Sequence, residues 1–149
     1  MSFWDTIRTS ASGLLAQRLR LDVIANNVAN AQTTRTAAGG PYQRQDVVFM
    51  PATGSGSTFS EMMAAQNGSL NSIQGGVQVA AIVTDKTPGQ RVYDPSSPDA
   101  DKTGYVTEPN VDPVVEMTNM ISATRSYEAN LSVVEADKNM ALQALNIGK

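Results

Sequence analysis

Apolar side chains recur at helical spacing at both ends of the chain and give way to strand-like alternation between them. From residue 3 to about residue 30, Ile7, Leu14, Leu21 and Val28 fall seven apart, with Ala11, Ile24 and Ala25 at intervening turns. A seven-residue apolar repeat of this kind describes a coiled-coil-like helix. Gln17 and Arg18 interrupt the seam, and Ser10, Ser12 and Gly13 lower its intrinsic helicity, so the segment alone should fray. From residue 112 onward the helical signals are stronger. Asp112 is a suitable N-cap, Pro113 suits the first helical position, and Gly148 follows the last periodic residue. Met117, Leu131 and Leu145 define one seven-residue row, which they share with Thr124 and Lys138, and Met120, Tyr127, Val134 and Ala141 define its neighbour.

The middle of the chain reads differently. A Gly-Gly-Pro turn precedes a strand candidate at residues 42–49. In "GGVQVAAIVTD", Val77, Val79, Ala81 and Val83 share one face, which predicts a half-buried strand after a Gly-Gly turn. Short strands are expected at residues 91–93 and 105–106, on either side of a Pro-rich turn. Residues 51–74 are dominated by Gly, Ser, Thr and Asn and read as a flexible loop.

A C-terminal helix of about 35 residues would extend about 50 Å. A compact domain of this size has a radius of gyration of only about 15 Å, so part of that helix needs a partner outside the core. The N-terminal helix is the best local one. The expected fold is α+β: long N- and C-terminal helices paired as a coiled-coil-like stalk, with a small β-rich domain between them. The corresponding divisions are residues 1–32, residues 33–110 with the loop at 51–74, and residues 111–149. Neither apolar seam is complete, so the pair alone should be marginally stable and ordered by its neighbours. That is the signature of a protein that assembles.

Composition narrows the chemistry. The 149 residues suffice for about one core, and 41% are hydrophobic. There is no cysteine and no histidine, which removes disulfides, thiolate nucleophiles, the usual zinc sites and the commonest general base. No run is long and apolar enough to span a membrane, and Asp5 and Arg8 interrupt the place where a cleavable signal peptide would need an unbroken apolar stretch. The net charge of −3 conceals an asymmetry. Residues 1–45 carry Arg8, Arg18, Arg20, Arg35 and Arg44 against only Asp5 and Asp22, so the excess of acid lies in the remainder. Opposite signs on two parts of one chain suit packing of one against the other, within a molecule or between copies. No dense basic stripe with interleaved aromatics is present, which argues against a nucleic-acid partner.

Two candidate chemistries fail on their residues. Asp99, Asp101, Thr103, Gly104 and Val106 imitate part of a calcium loop, but Asn110 stands where a bidentate Glu is needed and no helix precedes. Asp85, Asp94, Asp99, Asp101 and Glu108 lie close in sequence, as a glycosidase would require, yet all fall in polar turns with no apolar setting to raise one pKa. Asn67 and Asn130 head glycosylation patterns that carry no weight without a secretory signal. The methionines at 62, 63, 117 and 120 read as interface or core filling rather than soft-metal ligands. No cofactor, metal or catalytic residue is expected.

The asparagines are more telling. Asn26 and Asn30 are four apart on one helical face, with Asn27 beside them. Near a helix end an amide can satisfy orphan backbone groups, which explains a stop. Three amides among Ala25, Ala29 and Ala31 exceed that need and suit a close-packed, hydrogen-bonded junction with a second helix.

The stretch "LDVIANNVANAQTT" resembles the asparagine box near the N-terminus of bacterial flagellar axial proteins, the rod, hook and hook-associated subunits. "VYDPSSPDAD", "GYV", "PNVD" and "MISATRSYEAN" are similar to the proximal-rod members of that family. The resemblance spans the chain, with residues 51–74 as the chief departure. It implies terminal helices coiled together in a hollow, helically assembled axle that transmits torque from motor to hook. It further implies export through the flagellar type III apparatus without a cleaved signal, and a place in the periplasmic rod of the basal body. The partners implied are copies of the chain itself, other rod subunits and the adaptor joining rod to membrane ring. Within that picture the expected assembly interface comprises Ile7, Leu14, Leu21 and Ile24, the amides Asn26, Asn27 and Asn30 as register locks, and Met117, Met120, Tyr127, Leu131, Val134 and Leu145 of the C-terminal helix. A different axial subunit, or a peptidoglycan-acting or metal-binding enzyme built on the Asp-rich segment, is the alternative.

Overall fold

The computed structural model describes residues 3–52 and 76–147. The expected loop at residues 51–74 therefore lies, beyond its first two residues, outside the described residues, as do Met62, Met63 and Asn67. The elements run α1 (Phe3–Ala29), β1 (Gln45–Pro51), β2 (Val77–Thr84), β3 (Arg91–Tyr93), β4 (Tyr105–Thr107) and α2 (Pro113–Ile147). Two long terminal helices flank a small β region, an α+β fold.

Local chemistry sets the helix ends. The Asp112 carboxylate accepts the Val114 N–H at 2.8 Å and the Val115 N–H at 3.4 Å, and its carbonyl accepts the Glu116 N–H at 3.0 Å. Pro113 occupies the position whose missing N–H would have had no helical partner. At the far end of α1, Asn30 donates both its backbone N–H, at 3.1 Å, and its side-chain amide, at 2.9 Å, to the Asn26 carbonyl. The amide thus adds a second donor to a carbonyl of the last turn, the local side-chain bonding that suits asparagine to a helix end.

The strands form two two-stranded sheets, β1 with β2 and β3 with β4. β1 begins at Gln45, not at Tyr42, because Tyr42 turns its N–H to the Thr33 carbonyl at 2.9 Å. β2 was expected to be half-buried, yet apart from Val79 all of its residues are exposed. In this two-stranded ribbon the core covers Val47 of β1 and, among the described residues, leaves β2 largely open. In the β3–β4 hairpin Arg91 pairs with Thr107, Val92 with Val106 and Tyr93 with Tyr105 in antiparallel register. The two tyrosine rings meet edge-on at 5.2 Å, and the Arg91 guanidinium lies 5.0 Å from the Tyr105 ring centre.

The chain divides into two compact units that cut through both helices and through the β1–β2 ribbon. One comprises residues 1–18, 49–80 and 125–149. There Ser10, Ala16 and Asp137 are buried, and Gly13 gives α1 its close approach to α2, since a Cβ on it would stand 2.9 Å from the Asn130 amide nitrogen. The Ser12 hydroxyl donates to the Thr9 carbonyl at 2.7 Å and accepts the Val77 N–H at 3.0 Å. The other unit comprises residues 19–48 and 81–124. Its core is Val23, Ile24, Val47, Val106, Val111 and Ala123, together with two buried polar side chains, Asn27 and Glu116.

Along α2 the inward positions are Glu116, Met120, Ala123, Tyr127, Asn130, Val134, Asp137 and Ala141, buried or half-buried at alternating steps of four and three. Val114, Met117, Ile121, Leu131, Leu142 and Leu145 form a second, exposed row. Of the two rows read from the sequence, the one containing Met120 faces inward and the one containing Met117 faces outward. Ile7, Leu14, Leu21 and Val28 of α1 are all half-buried.

Two glycines are fixed by geometry. Gly104 adopts φ +81°, and a Cβ there would stand 2.9 Å from the Tyr93 ring. Gly89 lies so close to the Glu108 carbonyl that any Cβ would overlap it. Gly104→Ala is expected to destabilise the chain by about 1–3 kcal/mol through a strained αL residue. Gly89→Ala should cost at least as much, since a backbone carbonyl cannot rotate away as a ring can, and overpacking of this kind typically costs about 1–3 kcal/mol. Urea denaturation of the two variants measures both, and a Gly89→Ala chain as stable as the parent would contradict the close approach.

Candidate functional site

Two polar side chains are almost completely removed from solvent, Asn27 at 0% exposure and Glu116 at 1%. They belong to the same unit and meet each other. Asn27 lies in the last turns of α1, and its amide nitrogen donates to a Glu116 carboxylate oxygen at 3.0 Å and to the Gln45 carbonyl at 2.8 Å. Its amide oxygen accepts the Gln45 N–H at 3.0 Å and the Tyr42 hydroxyl at 2.9 Å. All four hydrogen-bonding positions of the amide are thereby filled. Because the amide engages both the N–H and the C=O of Gln45, it stands beside the first residue of β1 as a neighbouring peptide group would.

Glu116 is placed by the start of α2, where the helix dipole favours a negative charge. Its second oxygen accepts the Arg44 Nε–H at 2.8 Å. The Arg44 guanidinium reaches a further carboxylate, Asp46, at 3.6 Å. The hydrogen bond to Glu116 is the largest influence that raises the Arg44 pKa, so the guanidinium stays charged throughout the ordinary pH range. Burial, and then the charge of Glu116, push the Tyr42 hydroxyl upward and keep it a donor to Asn27. The backbone of Arg44 is held as well. Its N–H donates to the Asn110 amide oxygen at 2.8 Å, its carbonyl accepts the Asp85 N–H at 2.8 Å, and the Asn110 amide returns to the Asp85 carbonyl at 3.2 Å. One polar cluster thus ties the end of α1, the start of β1, the end of β2 and the start of α2. It holds no nucleophile and no free acid, so its chemistry is positional.

The three asparagines have three different fates. Asn27 is the buried hub. Asn30 is half-buried and ends the helix, and its amide oxygen accepts the Thr33 hydroxyl at 3.2 Å. Asn26 has an exposed side chain. Among the other positions read as interface, Ile24 is buried, while Ile7, Leu14, Leu21, Met120, Tyr127 and Val134 are half-buried. Met117, Leu131 and Leu145 are exposed. Sequence reasoning missed Glu116, Arg44, Tyr42 and Asn110. The one signal for Glu116 was an acid in a first helical turn, which points to the dipole and not to a partner so distant in the chain.

The Asp-rich turn is committed to the protein itself. One Asp101 oxygen accepts the Thr103 N–H at 2.7 Å, the Thr103 hydroxyl at 2.5 Å and the Tyr105 N–H at 3.1 Å, and the other accepts Arg91 at 2.7 Å. Asp99 accepts the Thr34 hydroxyl at 2.7 Å and lies 3.6 Å from Arg35. Among the described residues no cluster of carboxylates could hold a metal ion.

Asn27→Ala is expected to cost about 3 kcal/mol, because it strands a buried carboxylate oxygen, both polar groups of Gln45 and the Tyr42 hydroxyl. Asn26→Ala should change stability by less than about 0.5 kcal/mol. Urea denaturation of the purified chain reads the contrast, and equal effects would show that the buried amide is not the hub. The Asp101 pKa is lowered to about 2, first by the Thr103 hydroxyl. A depressed carboxylate contributes stability that is complete above its ordinary value of 3.8 and is lost as pH falls through about 2. Amide exchange at Thr103 and Tyr105 should therefore accelerate between those values, and Asp101→Asn should abolish that pH dependence.

Two family models match the chain. "Flagella basal body rod protein" covers residues 7–35, and "Flagellar basal body rod FlgEFG protein C-terminal" covers residues 102–147. The first contains the asparagine cluster, and the second contains Glu116 and all of α2. Among curated proteins, the flagellar basal-body rod protein FlgC of Borreliella burgdorferi is 44% identical, over 99% of this chain and 98% of its own length. FlgC of Bacillus subtilis is 41% identical and FlgC of Salmonella typhimurium 38% identical, each over the full length of both chains. With this similarity from end to end, the chain belongs to the FlgC family of flagellar basal-body rod proteins.

Proposed function

We propose that this chain, a structural subunit of the proximal rod of the flagellar basal body, assembles helically with copies of itself and with other rod subunits into the hollow axle that carries torque from motor to hook. The observation that carries the reading is the full-length match to FlgC proteins combined with long terminal helices that leave an apolar row uncovered. Val114, Met117, Leu131 and Leu145 have no reason to remain exposed in a protein that works alone, and contact with neighbouring subunits supplies one. Asn26 belongs to the same assembly surface, and the half-buried Ile7, Leu14, Leu21, Met120, Tyr127 and Val134 support the helices that present it. Asn27 and Ile24 act from beneath it by fixing where α1 ends and α2 begins. Heterologous contacts repeated with one polarity generate helical polymers, and buried amides hold register where an all-apolar seam would slide.

The same reading makes the chain a passenger of the flagellar type III export apparatus, carrying no cleaved signal, and places it in the periplasmic part of the rod. Its neighbours there include the adaptor that joins the rod to the membrane ring. Among the described residues no helix is long and apolar enough to cross a membrane, which fits a rod subunit. The absence of cysteine fits as well, since such a chain crosses into an oxidising compartment without forming disulfides.

The test is deletion of the gene in the native host, followed by electron microscopy of purified basal bodies. Rings without a rod, and with nothing distal to it, are expected. Complete rods and filaments in the deletion strain would overturn the reading.

A further inference from the structure

Both helices carry a second row of exposed side chains. In the unit built from residues 1–18, 49–80 and 125–149, Trp4, Arg8, Ala11, Leu15 and Arg18 are all exposed and follow one another at alternating steps of four and three. On α2 of the same unit, Glu128, Leu131, Glu135, Lys138, Leu142 and Leu145 do the same at steps of three and four. Such spacing keeps a row of side chains facing a partner helix along its length. Neither row is the one on which α1 and α2 meet within the chain, where Gly13 faces Asn130. Leu15 is 70% exposed and Leu145 71%.

The rows complement each other and not themselves. The α1 row is basic, with Arg8 and Arg18, and has a small residue, Ala11, between two large ones. The α2 row has two acids, Glu128 and Glu135, and one base, Lys138, among three leucines. Pairing α1 with α1 would oppose arginines, and pairing α2 with α2 would oppose glutamates; pairing unlike rows does neither. Among the described residues Arg18, Glu128 and Glu135 have no ion-pair partner, whereas Arg8 holds Asp5 at 3.3 Å. With the helices in opposite directions and Leu15 level with Leu131, Arg18 falls opposite Glu128, Ala11 opposite Glu135 and Trp4 opposite Leu142. Arg8 then lies level with Lys138, and it brings Asp5 with it.

We infer that the outward row of α1 in one copy docks on the outward row of α2 in a second copy, with Leu15 against Leu131 and Arg18 against Glu128. The inference rests on the rod reading and names the contact through which it operates. Each copy offers one row and receives the other, so the contact is heterologous and leaves a free row at each end of a chain of subunits. The charged pair sets register and direction, and the leucines, tryptophan and alanine supply the buried area.

The test uses the full-length chain in its native host. Arg18→Glu and Glu128→Arg are each expected to lower the yield of rods about tenfold, which corresponds to about 1.4 kcal/mol lost at the contact. The two changes on one chain should restore it. Single changes without effect, or a double variant no better than either, would overturn the pairing. Cross-linking gives a second readout against a chain that has no cysteine of its own. Leu15→Cys and Leu131→Cys carried on separate copies should form an oxidised dimer in isolated basal bodies only when both are present, and so should Ala11→Cys with Glu135→Cys. Dimers from one variant alone, linkage only to a different rod component, or intact rods without any linkage would overturn the inference and leave the rod assignment standing. Rods that form in the deletion strain would overturn that assignment itself.

Discussion

One side-chain amide decides how the terminal helices relate to the strands they flank. Asn27 is fully buried, and each of its hydrogen-bonding positions is taken, two by the backbone of Gln45, one by Tyr42 and one by Glu116. Every one of those partners depends on it in return. Without the amide, Glu116 would keep only Arg44, and β1 would start beside an empty position. A buried carboxylate is tolerable only where partners surround it, because desolvation of an unpaired charge far exceeds what packing returns. The junction is therefore an all-or-none arrangement, and that is what a mechanical element needs at the place where helices and strands join.

The two helices are bifacial, and the division of labour between their faces is unusual. In an ordinary globular helix the apolar stripe faces the core and the polar residues face water. On α2 the inward row includes Glu116, Asn130 and Asp137, while the outward row carries Met117, Ile121, Leu131, Leu142 and Leu145. A buried polar group gives a definite alignment where it is satisfied in one register and stranded in its neighbours, as Glu116 is held by Asn27 and Arg44. Apolar groups outside give affinity for whatever docks there. Specificity of the fold and strength of the assembly are thus assigned to opposite sides of the same helix.

Much of this was legible before the coordinates. The limits of α1, α2 and β3 follow from local signals, namely apolar periodicity, the Asp112 cap, Pro113 and alternation, which act over a few residues and appear directly in the chain. What the sequence left open was which face of each helix turns inward. Met117 and Met120 are equally apolar, and only contact with the rest of the fold separates them. Exposure of β2 was hidden for a related reason, because alternation announces a face but not whether a layer exists to cover it. The asparagines show the limit most clearly. Their spacing announced a polar junction, yet Asn26, Asn27 and Asn30 look alike in sequence, and their roles divide only when Glu116 and Arg44 arrive from far along the chain. The Asp-rich turn was excluded as a calcium loop for want of a carboxylate, and the fold adds a second reason, since Thr103, Tyr105 and Arg91 already occupy Asp101.

The inward row also carries unmet polarity. In the unit that contains them, one Asp137 oxygen and the Gln17 side-chain oxygen are buried with no hydrogen-bond partner among the described residues. A buried polar atom left unpaired costs about 1–3 kcal/mol, a large share of the margin by which a chain of this size is stable. Asn27 and Glu116 in the other unit are completely satisfied. The two units therefore differ in kind. Among the described residues, Asn27 and Glu116 are partnered in one unit, while the other keeps two buried oxygens unpaired; the uncovered apolar row runs along α2 through both. A subunit that gained all its stability before meeting its neighbours would have nothing left to gain from assembly. Stability withheld from the single chain at the Leu131 row is stability that becomes available when another helix docks there.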